Sequence, residues 1–364
     1  MLFLVLDRND RQIILPISRL IQGFTGMMSI HFTVAICTYN GAVRFPQVLD
    51  RLHCQIGIAD LSWEILIVDN NSTDSTQKVV QHYQATYFNS EQLRYCFEPE
   101  QGLAIARQRA VTEARGEWVG FLDDDNVPDE NWVANAYAFG QAHPQSGAYG
   151  SRIYGNFEVP PPENFKRISA LLALTDRGTQ PLLYPPQKKL LPPGAGLVVR
   201  KQAWLESVPA RCFLQGRFRE PYLPGEDLEA LIYIQNQGWE VWYNPAMEVV
   251  HQIPGGRLER DYLLKLCRGI GLSRYHTRML KVQSWRVPFL FLLYVLSDLY
   301  RTGLHLYRYR GQVKHDLVTA CELELLIGSL LSPSYLWKAY FKDFLQRQFL
   351  SKQRAIAQHE PASP

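Results

Sequence analysis

From residue 31 onward the chain alternates two hydrophobic periods. Residues 32–37, 63–68, 93–97 and 117–122 are short apolar runs of the kind that forms buried strands. Between and after them, 44–55, 75–83, 103–114 and 130–142 carry apolar residues at helical spacing. In the first of these, Phe45, Val48, Leu49 and Leu52 fall on one face. Repeated strand–helix units predict an α/β fold with a mostly parallel sheet flanked by helices. Proline-rich breaks at 160–162 and 180–193 interrupt the pattern. A strand at 194–200, a helix at 227–237 and two short strands at 239–243 and 247–250 are expected next, and beyond 258 the reading is helical almost to the end. The expected divisions are an extension at 1–28, a catalytic domain at 29–256, a helical region at 257–350 and a disordered tail at 351–364.

Polar clusters interrupt this pattern where strands end. Thr38-Tyr39-Asn40 follows the first strand, Asp69-Asn70-Asn71 the second, and Asp123-Asp124-Asp125 the fourth. Three adjacent carboxylates repel one another and are costly to bury unpaired. One answer is a hard divalent cation, Mg²⁺ or Mn²⁺, which bridges carboxylates to substrate phosphates. Another is a solvated turn capping the helix that starts near Pro128-Asp129-Glu130. Ligands of parallel sheets bind at the carboxyl ends of strands, so three polar clusters on that rim favour one shared site.

Composition bounds the function. The chain is 46% hydrophobic and 20% charged, which fits a globular protein with an ample core. A net charge of +3 is too weak to suggest nucleic-acid binding. The basic residues concentrate between Arg257 and Arg310. The six cysteines are scattered without a C-x-x-C, as expected of reduced thiols rather than a disulfide framework or zinc site. Residues 1–28 match neither a signal peptide nor a membrane span. They are expected to lie outside the catalytic fold, as an upstream start or as a short hairpin or membrane-surface segment.

The segments FTVAICTYN at 32–40, ILIVDNNSTDST at 65–76, GLAIARQRAV at 102–111, GFLDDDNVPDENW at 120–132, PPGAGLVVRK at 192–201 and PGEDLEALIYIQNQGW at 224–239 resemble, in this order, the family 2 glycosyltransferases. With PPENFKRI and YHTRML, the set is similar to cyanobacterial glycosyltransferases of hormogonium polysaccharide assembly. The resemblance spans about residues 30–255. It implies the GT-A nucleotide-diphosphosugar transferase fold, a Rossmann-like mostly parallel sheet with helices, followed here by a C-terminal helical extension.

The resemblance also implies roles. Asp69 would contact the uracil or ribose of a UDP-sugar, with Thr38, Tyr39, Asn40 and Asn71 beside it and Arg107 and Asp124 also toward the donor. Asp125 and Asp123 would hold Mn²⁺ or Mg²⁺, joined by His251. The metal would neutralise the diphosphate. Asp227, of the pair Glu226-Asp227, would be the base that deprotonates the acceptor hydroxyl in an inverting hexosyl transfer. Gly194, Ala195, Gly196 and Glu226 would approach the acceptor. That acceptor is expected to be a glycan or a polyprenyl-linked sugar in exopolysaccharide biosynthesis. Each role has a plainer counterpart: Asp69 and Asp227 as helix caps, Arg107 as a helix arginine paired with Glu113, His251 as a structural histidine.

The residues also admit two other functions. FLDDDNV fits the motif of haloacid-dehalogenase-type phosphatases, with Asp123 as nucleophile, although there it follows the first strand. A non-catalytic scaffold of the same fold is the other. The apolar stretch at 287–307, interrupted by Asp298, Arg301 and His305 and flanked by Trp285 and basic residues, reads as a buried packing helix or an interfacial one. The interfacial reading would hold the protein at the cytoplasmic face of the plasma membrane as a peripheral enzyme.

Overall fold

The computed structural model describes residues 2–6, 12–16, 30–188, 190–214, 216 and 223–357, with side chains described within 30–338. Strands β1 (Leu2–Leu6) and β2 (Gln12–Pro16) pair antiparallel as a sheet of their own. The rest of the extension expected at 1–28 lies outside the described residues.

The main sheet begins with β3 (Phe32–Thr38), β4 (Trp63–Asp69), β5 (Leu93–Phe97) and β6 (Trp118–Asp123), separated by α1 (Pro46–His53), α2 (Thr76–Thr86) and α3 (Leu103–Glu113). These four strands lie in the order β5-β4-β3-β6, all parallel. The sheet continues through β7 (Asn126–Pro128), α4 (Trp132–Ala142), β8 (Ser146–Phe157), β9 (Leu182–Leu183), β10 (Leu197–Arg200), α5 (Lys201–Ser207), α6 (Glu226–Asn236) and β11 (Glu240–Ile253). Its full order is β5-β4-β3-β6-β10-β8-β11-β7, with β9 on β11. Strands β7, β9 and β10 run antiparallel to their neighbours, and β8 and β11 pair parallel.

Strand periodicity sorts the core into two layers. Phe32, Val34 and Ile36 of β3 join Ile65 and Ile67 of β4 on one face, whereas Ala35, Leu66, Val68, Val119 and Phe121 pack on the other. Successive side chains of a strand point to opposite faces, so a strand covered on both sides must be apolar throughout. The two strands expected at 239–243 and 247–250 are one, β11, whose pairing with β8 shifts register between Asn244 and Glu248. Pro245 lies at that irregularity, where a missing N–H is tolerated.

The C-terminal region forms a third core with the 165–172 segment. Helix α7 (Arg260–Met279) packs along α9 (Leu317–Ala357), with α8 (Val287–Tyr309) beside them. A Cβ at Gly271 would come 2.5 Å from the Leu325 carbonyl oxygen, and one at Gly328 2.5 Å from that of Arg268. Only glycines permit α7 and α9 to approach so closely. Helix α9 continues to Ala357, into the stretch expected as a disordered tail; 358–364 lie outside the described residues.

Candidate active site

The carboxyl ends of β3 and β6, the start of α6 and the end of β11 surround one cleft. Its walls include Thr38, Tyr39, Arg107, Asp123, Asp124, Asp125, Gly194, Ala195, Glu226, Asp227 and His251, all expected from the sequence. Asn40, Asp69, Asn71 and Gly196 do not line it. Asp69 is 3% exposed, and its two oxygens accept from the Ser72 amide at 2.9 Å and the Tyr95 hydroxyl at 2.7 Å. It braces its own loop. Asn40 (φ 50°) accepts from the Thr73 amide at 2.8 Å, so it fixes the turn beside the cleft. Asn71 (φ 65°) occupies a left-handed turn position suited to Asn. Gly196 gives its carbonyl to the Ser151 hydroxyl at 2.6 Å.

The three adjacent aspartates each meet an arginine. Asp124 accepts two bonds from Arg44, at 2.9 and 2.7 Å, and one from Thr38 Oγ1 at 2.7 Å. It ties the end of β3 to the end of β6, with two of these bonds on Oδ2 and one on Oδ1. Asp123 lies 3.4 Å from Arg107 Nη2. Asp125 lies 2.8 Å from Arg257 Nη2 and accepts from Asn126 Nδ2 at 2.9 Å. The repulsion that seemed to require a metal is thus met largely by guanidinium groups. Arg44 and Arg257 were not foreseen as site residues.

Arg107 is buried, with the Phe121 ring 5.4 Å from its Cζ, and its Nη1 is 3.8 Å from Glu226. The expected alternative partner, Glu113, pairs instead with Arg109 and Arg94. Burial and the nearby Asp125 push Asp123 above the ordinary carboxylate range, against the pull of Arg107. Asp125, despite its burial, is held below that range with the Arg257 and Arg44 guanidinium groups beside it. Neighbouring carboxylates are thereby driven apart.

His251 is positioned by its other nitrogen. Nδ1 lies 3.0 Å from the Leu172 carbonyl oxygen, which can only accept, so the network assigns the proton to Nδ1. Nε2 then presents its lone pair, 2.8 Å from Arg257 Nη1 and 3.7 Å from Asp125 Oδ2. Among the described residues no three His, Cys, Asp or Glu side chains form a ready metal cage, so the set expected from Asp123, Asp125 and His251 is not closed. Mg²⁺ and Mn²⁺ sites commonly take one or two carboxylates and complete themselves with phosphate oxygens. A carboxylate and a correctly tautomerised imidazole already sharing one cation, the Arg257 guanidinium, have the donor chemistry for such an ion.

Across the cleft, Asp227 sits in the first turn of α6. Its Oδ2 accepts the Gly194 amide at 2.5 Å and its Oδ1 the Leu228 amide at 2.8 Å. A side chain at Gly194 would collide with the Arg107 guanidinium. Glycine there lets the backbone reach both Asp227 and the arginine.

Residues 33–204 match the model of glycosyl transferase family 2. TuaG of Bacillus subtilis, a glycosyltransferase named for teichuronic acid biosynthesis, is 35% identical over 78 residues, 21% of this chain and 30% of that protein. WfgD of Escherichia coli, a UDP-Glc:α-D-GlcNAc-diphosphoundecaprenol β-1,3-glucosyltransferase, is 29% identical over 99 residues, 27% of this chain and 35% of that protein. The matches span about a third of the length of these curated relatives. Among solved structures, mannosyltransferase PcManGT from Pyrobaculum calidifontis, in complex with GDP-Man and Mn²⁺, superposes with a TM-score of 0.51 at 19% identity, covering 85% of this chain and 87% of that one. The fold is therefore that of the GT-A glycosyltransferases. The phosphatase alternative falls with these matches.

Proposed function

We propose, from the premise that this chain is a family 2 glycosyltransferase over residues 33–204, that it moves a sugar with inversion from a nucleotide-diphosphate sugar to an acceptor hydroxyl activated by Asp227. The observation that carries this reading is Asp227 fixed by two backbone amides across one cleft from the Asp123–Asp125, His251 and Arg257 cluster. Each carboxylate oxygen of Asp227 keeps a lone pair for the acceptor hydroxyl. Asp227 takes that proton while the acceptor oxygen bonds to the anomeric carbon. The bond from that carbon to the diphosphate breaks on the opposite face, and the diphosphate leaves with the electron pair.

The leaving charge needs cations. Arg107 and Arg257 line the cleft and supply two. Asp125 and His251, with Asp123 alongside, would hold Mn²⁺ or Mg²⁺, which when bound neutralises the diphosphate. We read the donor as UDP-linked and the acceptor as a glycan or polyprenyl-linked sugar of exopolysaccharide synthesis, with the enzyme at the cytoplasmic membrane face. The specificity of the relative WfgD, a UDP-sugar donor and a diphosphoundecaprenol-linked acceptor, supports both.

Calorimetric titration of UDP with and without Mn²⁺ tests the donor side. Mn²⁺ is expected to tighten UDP binding to the natural protein and to have no such effect on folded Asp125→Ala. An equal Mn²⁺ response in the two proteins would refute the assigned ligand.

A further inference from the structure

Helix α8 is amphipathic in the wrong sense for a soluble protein. At about 3.6 residues per turn, Phe289, Leu292, Leu296, Tyr300 and Tyr307 fall on one stripe. That stripe faces outward: Phe289, Tyr300 and Tyr307 are 70, 70 and 76% exposed. The opposite stripe holds the polar groups, and it faces inward. Asp298 binds Arg278 at 2.5 and 3.0 Å and accepts from Ser329 Oγ at 2.6 Å. His305 Nε2 lies 3.1 Å from the Thr319 carbonyl oxygen.

We propose that α8 is an in-plane membrane anchor that docks this outward stripe into the headgroup–acyl boundary of an anionic bilayer. Charge complementarity selects the occupant. Arg286, Arg301, Arg308, Arg310 and Lys314 are exposed on or just beyond the helix, and its one acid, Asp298, is buried and spent on Arg278. Anionic headgroups answer those bases, while a second copy would bring the same bases against one another. Trp285, Tyr300 and Tyr307 are the side chains that settle at a membrane boundary.

By length and composition α8 is also able to cross a bilayer, as is Leu317–Lys338 of α9. The clamp at Asp298 argues against crossing. It stands at the middle of α8 and is gripped by Arg278 in the last turn of α7, a helix that exposes Arg260, Asp261, Lys265 and Arg268 and packs on the catalytic domain through His276 and Glu229, 3.0 Å apart. A spanning α8 would drag that ion pair and the end of α7 to the bilayer midplane. At its C-terminal end it is the inward face of α8 that reaches the segment beside the cleft: Tyr309 lies under Arg167, 5.0 Å away, in the segment whose Leu172 orients His251. None of this depends on the transferase reading.

The full chain should sediment with vesicles of phosphatidylcholine mixed with phosphatidylglycerol, and several-fold less with phosphatidylcholine alone. Carbonate should release it and leave no protease-protected fragment. Replacing Phe289, Leu292 and Leu296 with Ser is expected to lower the partition at least about tenfold. Because that variant bares a reshaped helix, Arg286→Glu with Arg308→Glu serves as the second variant; it should keep the fold and lose the preference for phosphatidylglycerol. Binding to neither vesicle, or equally to both, would overturn the proposal. So would a carbonate-resistant, protected α8, or a dimer that the serine variant dissolves without any vesicle binding.

Discussion

Arg107 sits where water cannot screen it, between Asp123 and Glu226 and against the Phe121 ring. Removing one partner of a buried charge cluster leaves the others uncompensated, and such losses run to about 3–5 kcal/mol. Asp123 keeps partial access to solvent, so the lower end applies. Arg107→Ala is therefore expected to cost about 3 kcal/mol in urea unfolding, and Arg107→Lys, which lacks the planar fork, to recover only part of it. A loss below about 1 kcal/mol would mean the arginine is a solvated group after all. The sequence marked Arg107 but left Glu113 as a rival partner, because both lie on one helix and spacing alone cannot say which side faces the sheet. Arg257 was illegible for a different reason. It lies far along the chain from Asp125, in a short turn with no pattern of its own, and only the fold joins them. Asp69 shows a helix-cap role beside the ligand role that the resemblance implies. Short acidic side chains readily bond their own following backbone, and here one oxygen accepts from Ser72 and the other from Tyr95.

At the scale of elements, the parallel half of the sheet was readable from the alternation of apolar runs and helical spacings. Strands buried on both faces leave that signal plainly. β11 was read as two strands because Asn244 and Pro245 interrupt its apolar pattern, and a register shift is invisible without the partner strand. The three-helix appendage was legible as helical, and its apolar helix admitted both a buried and an interfacial reading, since an apolar run does not say which way it faces. Asp298 tests that arrangement. Against the cost of burial, hydrogen bonds from Arg278 and Ser329 hold its carboxyl below the ordinary range. A depressed carboxylate adds stability that is present above the unfolded-state pKa and is lost as pH falls through the folded one. Asp298→Asn should thus lower stability at neutral pH by about 3 kcal/mol, with the gap to the natural protein closing in acid. A gap that stays constant with pH would assign the loss to packing rather than charge.

At the scale of the whole molecule, the cleft gathers residues from 37–44, 103–107, 123–125, 193–195, 224–227 and 251–257 onto one rim of the sheet. Six motifs in a fixed order made most of that rim legible, because a parallel sheet delivers the ends of its strands to one side whatever the connecting loops do. Under the proposed function the two walls divide the labour. One carries acids, arginines and His251, assigned to the leaving diphosphate, and the other carries Glu226 and Asp227, of which Asp227 is assigned to the acceptor. In the proposed function Asp227 is the base. Asp227→Asn keeps the shape and one of the two backbone amide bonds while removing the proton acceptor. The measurement is steady-state transfer together with UDP-sugar affinity on the same preparation. The account predicts unchanged donor affinity and a kcat lower by about 10²–10⁴-fold, the usual weight of general-base help. A kcat reduced by less than about tenfold, with donor binding intact, would contradict it.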